Sequence, residues 1–179
     1  MFGFLGRYMN WLHTRWPSGM VEKLPEVNED GATVVSGLYV VGDLTGIPLL
    51  KFSSDTGARA VQTILGDSSF VNRAQKDGVR DLVIVGGGVS GMAAALEAKK
   101  AGLDFVLLEA SERFSTVVNF PKGKPIYTYP TEMVPAGDLL FSDQADVKER
   151  LLEELEERTS VIESMIARAE AVLREGDVL

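Results

Sequence analysis

The sequence predicts an α/β domain built around a parallel β-sheet. Residues 81–108 contain an apolar run, a glycine cluster, an alanine-rich segment and a second apolar run, which predicts a β–α–β unit. A further apolar run at 38–43 precedes helical periodicity from about residue 54 to residue 65. The chain has 179 residues, 45% hydrophobic and 25% charged, which suits one globular domain with its own core.

Composition excludes several classes of site. The chain has no cysteine, so disulfides, thiolate metal sites and a redox CxxC are excluded within it, and one histidine, His13, disfavours a zinc site or a Ser/His/Asp triad. The net charge is −8, and residues 138–179 hold 12 acidic against 5 basic residues, which disfavours a nucleic-acid partner. No apolar run approaches the roughly 18–20 residues of a membrane span. With no signal-peptide pattern at the N-terminus, we expect a cytoplasmic protein.

Residues 1–20 predict an amphipathic helix that ends at Pro17. Its apolar residues repeat at helical spacing: Phe2, Leu5, Met9, Leu12 and Trp16. We expect this helix to pack on its own domain; contact with a membrane surface or a partner is the less favoured alternative.

Two regions follow the N-terminal helix. Residues 21–141 are expected to form the main domain, in which 119–141 is a loop because it holds four of the seven prolines. Residues 142–179 predict an acidic helical tail, either one helix or two that break near residue 159. The alternative is a truncated piece of sheet, with a strand at 161–166 and a hairpin at 174–179.

The glycine cluster fits the pattern G-x-G-x-x-G between a strand and a helix. In that pattern Gly86 permits a tight turn, Gly88 lets the backbone approach a pyrophosphate, and Gly91 allows close packing of helix on strand. The helix is expected to begin at Ser90, directly after Val89, and its first backbone N–H groups and positive dipole end bind phosphate. The pattern therefore predicts a Rossmann-like dinucleotide site.

Glu109 ends the second strand of this unit, 18 residues after Gly91. At that place a carboxylate can bind both hydroxyls of an adenosine ribose, and it repels a 2′-phosphate. This site should therefore not hold NADP, whereas FAD and NAD both remain. The alternative is a tight turn with a surface glutamate.

The stretch "GLYVVGDLTGIPLLKFSSDTGARAVQTI" (37–64) resembles the second FAD motif of the thioredoxin-reductase-like flavoproteins. The resemblance implies that Gly42 and Asp43 bind the ribitol chain of FAD, with a turn around Ser53–Gly57 beside the flavin. A helix N-terminus there would stabilise the anionic reduced flavin. The alternative for Asp43 is a cap or turn residue.

Two shorter stretches carry the same resemblance. "VVNFP" (117–121) is similar to a segment of thioredoxin reductases, and "IYTYPTEM" (126–133) to one of the bacillithiol-disulfide-reductase-like proteins. They imply an isoalloxazine site lined by Asn119, Thr116, Tyr127 and Tyr129. Anchoring of the loop is an equal alternative for the tyrosines. Lys122 and Lys124 are expected in solvent, with a contact to NADPH phosphate as the remote alternative.

The chain departs from this family in three ways. The Gly-Asp motif precedes the glycine fingerprint, so the FAD half is circularly permuted, or the two motifs complete sites in two chains. No second fingerprint is present, so NAD(P)H must bind on another domain or a second chain, and a homodimer is one such arrangement. The bacillithiol-type cysteine position is Ser90, which excludes disulfide reduction by this chain.

The sequence therefore predicts the FAD-binding module of an NAD(P)H-dependent oxidoreductase, with no side chain acting as acid or base. The first alternative is a non-catalytic or degenerate nucleotide-binding scaffold that docks a partner. The second is an NAD-binding protein that uses residues 81–109 alone.

Overall fold

The computed structural model describes residues 5–7, 9, 23–74, 76–142 and 144–169. Most of the predicted N-terminal helix lies outside them; of its apolar residues, Leu5 and Met9 are described, and both are helical and exposed. The predicted hairpin at 174–179 also lies outside the described residues. Among the residues described, no helix is both long enough and apolar enough to cross a membrane.

The apolar run at 38–43 does not form the strand that the sequence predicts. Tyr39 makes an isolated antiparallel bridge with Ala32, and a 3-10 helix follows at Gly42–Thr45. Backbone groups of the run pair with residues 31–33, which lie just before it. A local turn therefore takes the hydrogen bonds that a strand would have given to a distant partner.

The helix after this turn is longer than predicted. α1 covers Leu50–Gly66, whereas the sequence placed its start near residue 54. Leu49 precedes α1 and supplies no side-chain cap, so the start lacks the residue types that mark a helix N-terminus. A short helix, α2 (Ser68–Val71), lies within the region 66–78 that was predicted as a linker.

The predicted β–α–β unit is present. It consists of β1 (Leu82–Val85), α3 (Val89–Lys100) and β2 (Phe105–Glu109). The two strands pair in parallel, with Leu82 opposite Phe105. α1 packs along α3. The buried core joins these elements to the later helices and includes Val61, Met92, Ala95, Leu107, Phe114, Leu139, Leu151, Leu155 and Ile162.

After a one-turn helix, α4 (Ser115–Val118), residues 119–141 form a loop, as their prolines predict. The loop lies on α1 because buried polar side chains of that helix hold it. Lys51 donates to the carbonyl oxygens of Pro130 and Thr131, Ser54 donates to that of Leu139, and Asp55 accepts from the Ala136 N–H.

The C-terminal region contains both a helix and a strand, but the strand follows the range 161–166 in which it was predicted. α5 (Lys148–Thr159) ends where the break was predicted, and a 3-10 helix, Ser160–Met165, follows. β3 (Ile166–Arg168) then pairs in parallel with β2, so the sheet has the order β1-β2-β3. The prediction of a helical tail is therefore wrong at Ile166–Arg168, and the prediction of a strand at 161–166 is wrong up to Met165. Ile162 is fully buried inside the 3-10 helix, which is why apolar spacing continues past the end of α5.

Candidate functional site

A cleft of about 650 Å³ lies between the Gly-Asp segment (residues 38–45), α1 and the glycine turn (residues 86–91). Both predicted motifs therefore border one cavity. The residues that line it include Leu38, Val41, Asp43, Leu50, Ser53, Val61, Ile84, Gly86, Gly88, Val89, Ser90, Gly91, Phe114, Thr116, Val117 and Phe120.

The glycine turn needs its glycines for different reasons. Gly86 has φ +100°, in the left-handed region that favours glycine. A Cβ on Gly91 would stand 1.9 Å from the Gly86 carbonyl oxygen, so only glycine lets α3 begin against the turn. A Cβ on Gly88 would meet nothing within 4 Å, which leaves open space beside this backbone.

The N-terminus of α3 faces this space. Gly88 is its N-cap, and glycine has no side chain that could cap the helix. The first N–H groups of an α-helix have no partner within the helix. Those of Val89 and Ser90 are therefore available to an anion and carry the positive end of the helix dipole.

Gly87 is fixed from two sides, by the last residue of β2 and by the segment that follows this strand. Its N–H donates to Glu109 Oε2 at 2.5 Å, and its carbonyl oxygen accepts from the Phe114 N–H at 2.9 Å. The other carboxylate oxygen of Glu109 accepts from the Ser111 N–H at 2.8 Å. Burial tends to raise the pKa of Glu109, but hydrogen bonds from Ser111 and Gly87 outweigh it and hold that pKa below its ordinary value. Glu109 is thus an ionised acceptor beside the turn.

The Gly-Asp segment is attached to α1 by side-chain hydrogen bonds. The Gly42 N–H donates to Thr56 Oγ1 at 2.9 Å, and Asp43 Oδ1 accepts from Ser53 Oγ at 2.8 Å. Gly42 itself is buried with φ +74°, whereas Asp43 is exposed on the cleft wall. The carboxylate of Asp43 is therefore held in place while its outer face stays accessible.

Ser90 is the point where the two motifs touch. A Cβ on Gly42 would stand 2.4 Å from Ser90 Oγ, and a Cβ on Gly57 would stand 2.0 Å from the Ser90 carbonyl oxygen. The Gly-Asp segment, α1 and α3 thus pack together through glycine, and the two motifs lie together although residues 46–85 separate them in the chain.

Residues 53–57 do not form the turn that the family resemblance implied. They lie inside α1, because the helix begins at Leu50. Leu50 and Ser53 both line the cleft, so the first turn of α1 borders it instead. The positive end of the α1 dipole therefore borders the cleft, and it lies a few residues earlier in the chain than predicted.

The 114–133 stretch reaches the cleft only in part. Thr116 and Phe120 line it, whereas Asn119 is exposed and donates its side-chain amide to the Ser115 carbonyl oxygen at 2.8 Å. Tyr127 and Tyr129 are exposed and stacked, with ring centroids 6.1 Å apart, and neither is among the lining residues.

The two lysines of this stretch also lie at the surface. Lys122 and Lys124 are exposed, as expected, and Lys124 Nζ lies 3.4 Å from the ring centroid of Phe120.

Two residues that border the site have no sequence signal of their own. Thr56 supplies the acceptor for Gly42, but a threonine inside a helix is common. Phe114 has φ +55° and ψ +29°, a conformation that aromatic residues rarely adopt. Left-handed backbone is expected at glycine or asparagine, so the sequence does not predict it at Phe114.

The hydrogen-bond donors and acceptors of this site fit FAD. The turn and the start of α3 offer backbone N–H groups to a pyrophosphate, Glu109 an acceptor to a ribose, and Asp43 an acceptor to a polyol chain. Among the described residues that line the cleft, none is Lys or Arg. Phosphate binding there would therefore depend on the backbone and the dipole of α3.

Comparison with known proteins supports the same cofactor. Residues 81–123, about a quarter of the chain, match the model of a family described as an FAD binding domain. No curated protein and no solved structure matches the chain. The prediction of FAD as cofactor is confirmed, and the match supports a flavin-binding oxidoreductase module. The matched region contains the glycine turn and Glu109, and it does not include Gly42 or Asp43.

Proposed function

We propose that this chain is the FAD-binding module of an NAD(P)H-dependent oxidoreductase with a permuted, Rossmann-like FAD domain over residues 21–141. β3, from the region that follows, adds a third parallel strand to its sheet. The nicotinamide donor binds on another domain or a second chain. We further propose that the chain handles its flavin as the thioredoxin-reductase-like flavoproteins do, on the strength of the Gly-Asp motif. The stretch 126–133 supports a similar likeness to the bacillithiol-disulfide-reductase-like proteins.

The observation that carries this proposal is the contact of Gly42 with Ser90. This contact brings Asp43 into the cleft beside the glycine turn. Asp43 and Ser90 both line that cleft. A protein that binds NAD through residues 81–109 alone has no use for a second acidic residue in this place. A flavin dinucleotide does, because its ribitol chain carries three hydroxyl groups between the pyrophosphate and the ring.

Each group has a separate task in the proposal. Gly88, Val89 and Ser90 hold the pyrophosphate by backbone N–H groups. Glu109, which lies beside the glycine turn and is not among the residues that line the cleft, holds the adenosine ribose. Asp43 and the first turn of α1 orient the flavin end. Bound FAD would supply two-electron chemistry, in which a hydride passes from NAD(P)H to flavin N5 and leaves NAD(P)⁺. The side chains orient and tune the cofactor and transfer no proton themselves.

The test is the visible absorption spectrum of the purified chain, with release and identification of any bound cofactor. We expect flavin absorption and FAD at about one per chain, as one dinucleotide site requires. Asp43→Ala should lose FAD, whereas Asp77→Ala, an exposed aspartate outside the cleft, should retain it. Full FAD occupancy in Asp43→Ala would show that the Gly-Asp motif is not part of the site.

A second function is favoured by exposed apolar residues. Val34 is 94% exposed, and Val85, which lines the cleft, is 82% exposed. In the part of the sheet that the structure describes, the outer edge of β1 has no strand beside it. Such surfaces dock partners in a non-catalytic scaffold protein. Anaerobic NADPH addition to the FAD-loaded chain, with and without a candidate partner, distinguishes the two functions, because only the oxidoreductase bleaches its flavin.

A further inference from the structure

Phe114 has an unusual backbone at the edge of the cleft. Among the residues that the structure describes, it is the only residue other than glycine with positive φ, at +55°. Left-handed backbone is unfavourable for a bulky L-residue and persists only where surrounding structure enforces it. Such strain concentrates at functional sites, which makes Phe114 a candidate for a role in binding.

Packing enforces this conformation. Phe114 is 1% exposed and belongs to the hydrophobic core. Its carbonyl oxygen accepts from the N–H groups of Val117 and Val118 at 2.8 and 2.9 Å, which starts α4. The ring is therefore buried while the backbone turns sharply between β2 and α4.

The sharp turn directs the Phe114 N–H at the carbonyl oxygen of Gly87, 2.9 Å away. In a planar trans peptide the N–H of the next residue points opposite to that carbonyl. The bond from Phe114 thus sets the direction of the Gly88 N–H. Gly88 lines the cleft and has open space beside its Cα.

We propose that Phe114 is a positioning residue for the pyrophosphate of the bound dinucleotide, acting through Gly87 on the N–H of Gly88. The inference rests on the proposed FAD site. It adds to that site the residue that orients the Gly88 N–H, which donates to the pyrophosphate. The ring need not touch the cofactor, because its burial keeps the backbone in the left-handed region. Loss of the ring would let the Gly87–Gly88 peptide rotate and weaken phosphate binding.

The test compares Phe114→Leu and Phe114→Ala with Phe105→Leu and Phe105→Ala. Phe105 is a suitable control, because it is a buried phenylalanine in β2, 4% exposed, that does not line the cleft. Affinity for FAD is measured by flavin fluorescence and affinity for ADP by calorimetry, well below the melting temperature of each variant. ADP carries the pyrophosphate without the flavin, so it reports the proposed contact alone.

We expect the Phe114 variants to lose about tenfold or more in affinity for both FAD and ADP, equivalent to 1.4 kcal/mol or more. The Phe105 variants should lose melting temperature and keep both affinities. If Phe114→Ala does not fold, the binding data for Phe114→Leu decide. Amide hydrogen exchange should then be faster at positions 87 and 114, whose N–H groups are hydrogen-bonded in the unmodified chain.

The inference is overturned if Phe114→Leu binds FAD and ADP as the unmodified chain does. It is also overturned if Phe105→Leu weakens both ligands equally. If the unmodified chain binds neither FAD nor ADP, the proposed FAD site itself is wrong.

Discussion

Gly42 and Ser90 are so close that a Cβ on Gly42 would lie 2.4 Å from Ser90 Oγ and 3.0 Å from Ser90 Cβ. Gly42 belongs to the Gly-Asp segment, and Ser90 belongs to the first turn of α3. One contact between small residues therefore joins the two halves of the cleft. Under the proposed function, this contact lets the two motifs serve one site in either chain order, since chain order does not limit packing.

Gly42→Ala should destabilise the chain and lower FAD occupancy. Gly37→Ala is the matched control, because Gly37 also has positive φ, +82° against +74°, but open space around its Cβ position. Both variants bear the cost of left-handed backbone, roughly 1–2 kcal/mol. We expect Gly42→Ala to cost more than Gly37→Ala in urea unfolding. Equal free energies of unfolding would show that the contact with Ser90 is not tight.

The double variant Gly42→Ala/Ser90→Gly tests whether Ser90 is the residue that the new Cβ at position 42 contacts. Removing the Ser90 side chain deletes both atoms that meet the new Cβ, so part of the lost stability should return. The coupling energy comes from a double-mutant cycle with Ser90→Gly alone. A coupling energy of zero would assign the loss to backbone strain only.

Gly88→Ala should weaken FAD binding without destabilising the fold. The Cβ would meet nothing within 4 Å, and Gly88 has negative φ, so the fold should tolerate the change. The methyl group would instead occupy space needed by a pyrophosphate, and we expect affinity for FAD to fall about tenfold or more. The melting temperature reports the stability of the variant, and an FAD titration reports its affinity.

Gly91→Ala is the contrast to Gly88→Ala. A Cβ there would lie 1.9 Å from the Gly86 carbonyl oxygen, so both stability and binding should be lost. Gly66→Ala, at the open C-terminal end of α1, should leave both unchanged. A Gly88→Ala variant that binds FAD like the unmodified chain would place the pyrophosphate elsewhere.

The β–α–β unit was predictable because its signals are local. Apolar strands, the glycine turn and Glu109 fall within 29 residues, and each glycine has a requirement that neighbouring residues impose. The strand predicted at 38–43 was wrong for the opposite reason. Its apolar pattern does not show which strand it would pair with. Residues 31–33 lie close in the chain and take its backbone hydrogen bonds instead.

Positions that depend on distant packing had no sequence signal. A phenylalanine in left-handed backbone, as at Phe114, contradicts local preference and is stabilised only by the assembled core. The family resemblance implied that Asn119 lies at the flavin, yet its amide bonds to Ser115 outside the lining of the cleft. Its neighbour Phe120 reaches the cleft instead.

Glu109 should make FAD binding depend on pH in the acidic range. Hydrogen bonds lower its pKa in the folded chain, so its contribution to stability is present above the pKa of the unfolded chain. That contribution is lost as pH falls through the lower, folded pKa. We expect FAD affinity to fall in the same range, because a protonated carboxyl accepts fewer hydrogen bonds from the ribose.

Glu109→Gln should weaken FAD binding by about tenfold or more at neutral pH, since hydrogen bonds to a charged acceptor contribute about 1.5–3 kcal/mol. Its amide group would also face an N–H donor, of Gly87 or Ser111. Glu112→Gln, at an exposed neighbour, is the control. FAD titrations from neutral to acidic pH should show a step that Glu109→Gln lacks. The same step in both proteins would assign it to another group.

Lys51 should control how firmly the 119–141 loop lies on α1. Its side chain is buried, and Nζ donates to the carbonyl oxygens of Pro130 and Thr131, each at 2.9 Å. Lys51→Met keeps the apolar stem but leaves both carbonyl groups without this donor, which costs about 1–3 kcal/mol. We expect a lower free energy of unfolding and faster chymotrypsin cleavage after the exposed Tyr127.

The control for this change is Lys99→Met, an exposed lysine in the last turn of α3. Its stability and cleavage rate should match the unmodified chain. Because Leu50, next to Lys51, lines the cleft, loosening the loop should also reduce FAD affinity, though less than Asp43→Ala does. Unchanged cleavage after Tyr127 in Lys51→Met would mean that Ser54 and Asp55 hold the loop without Lys51.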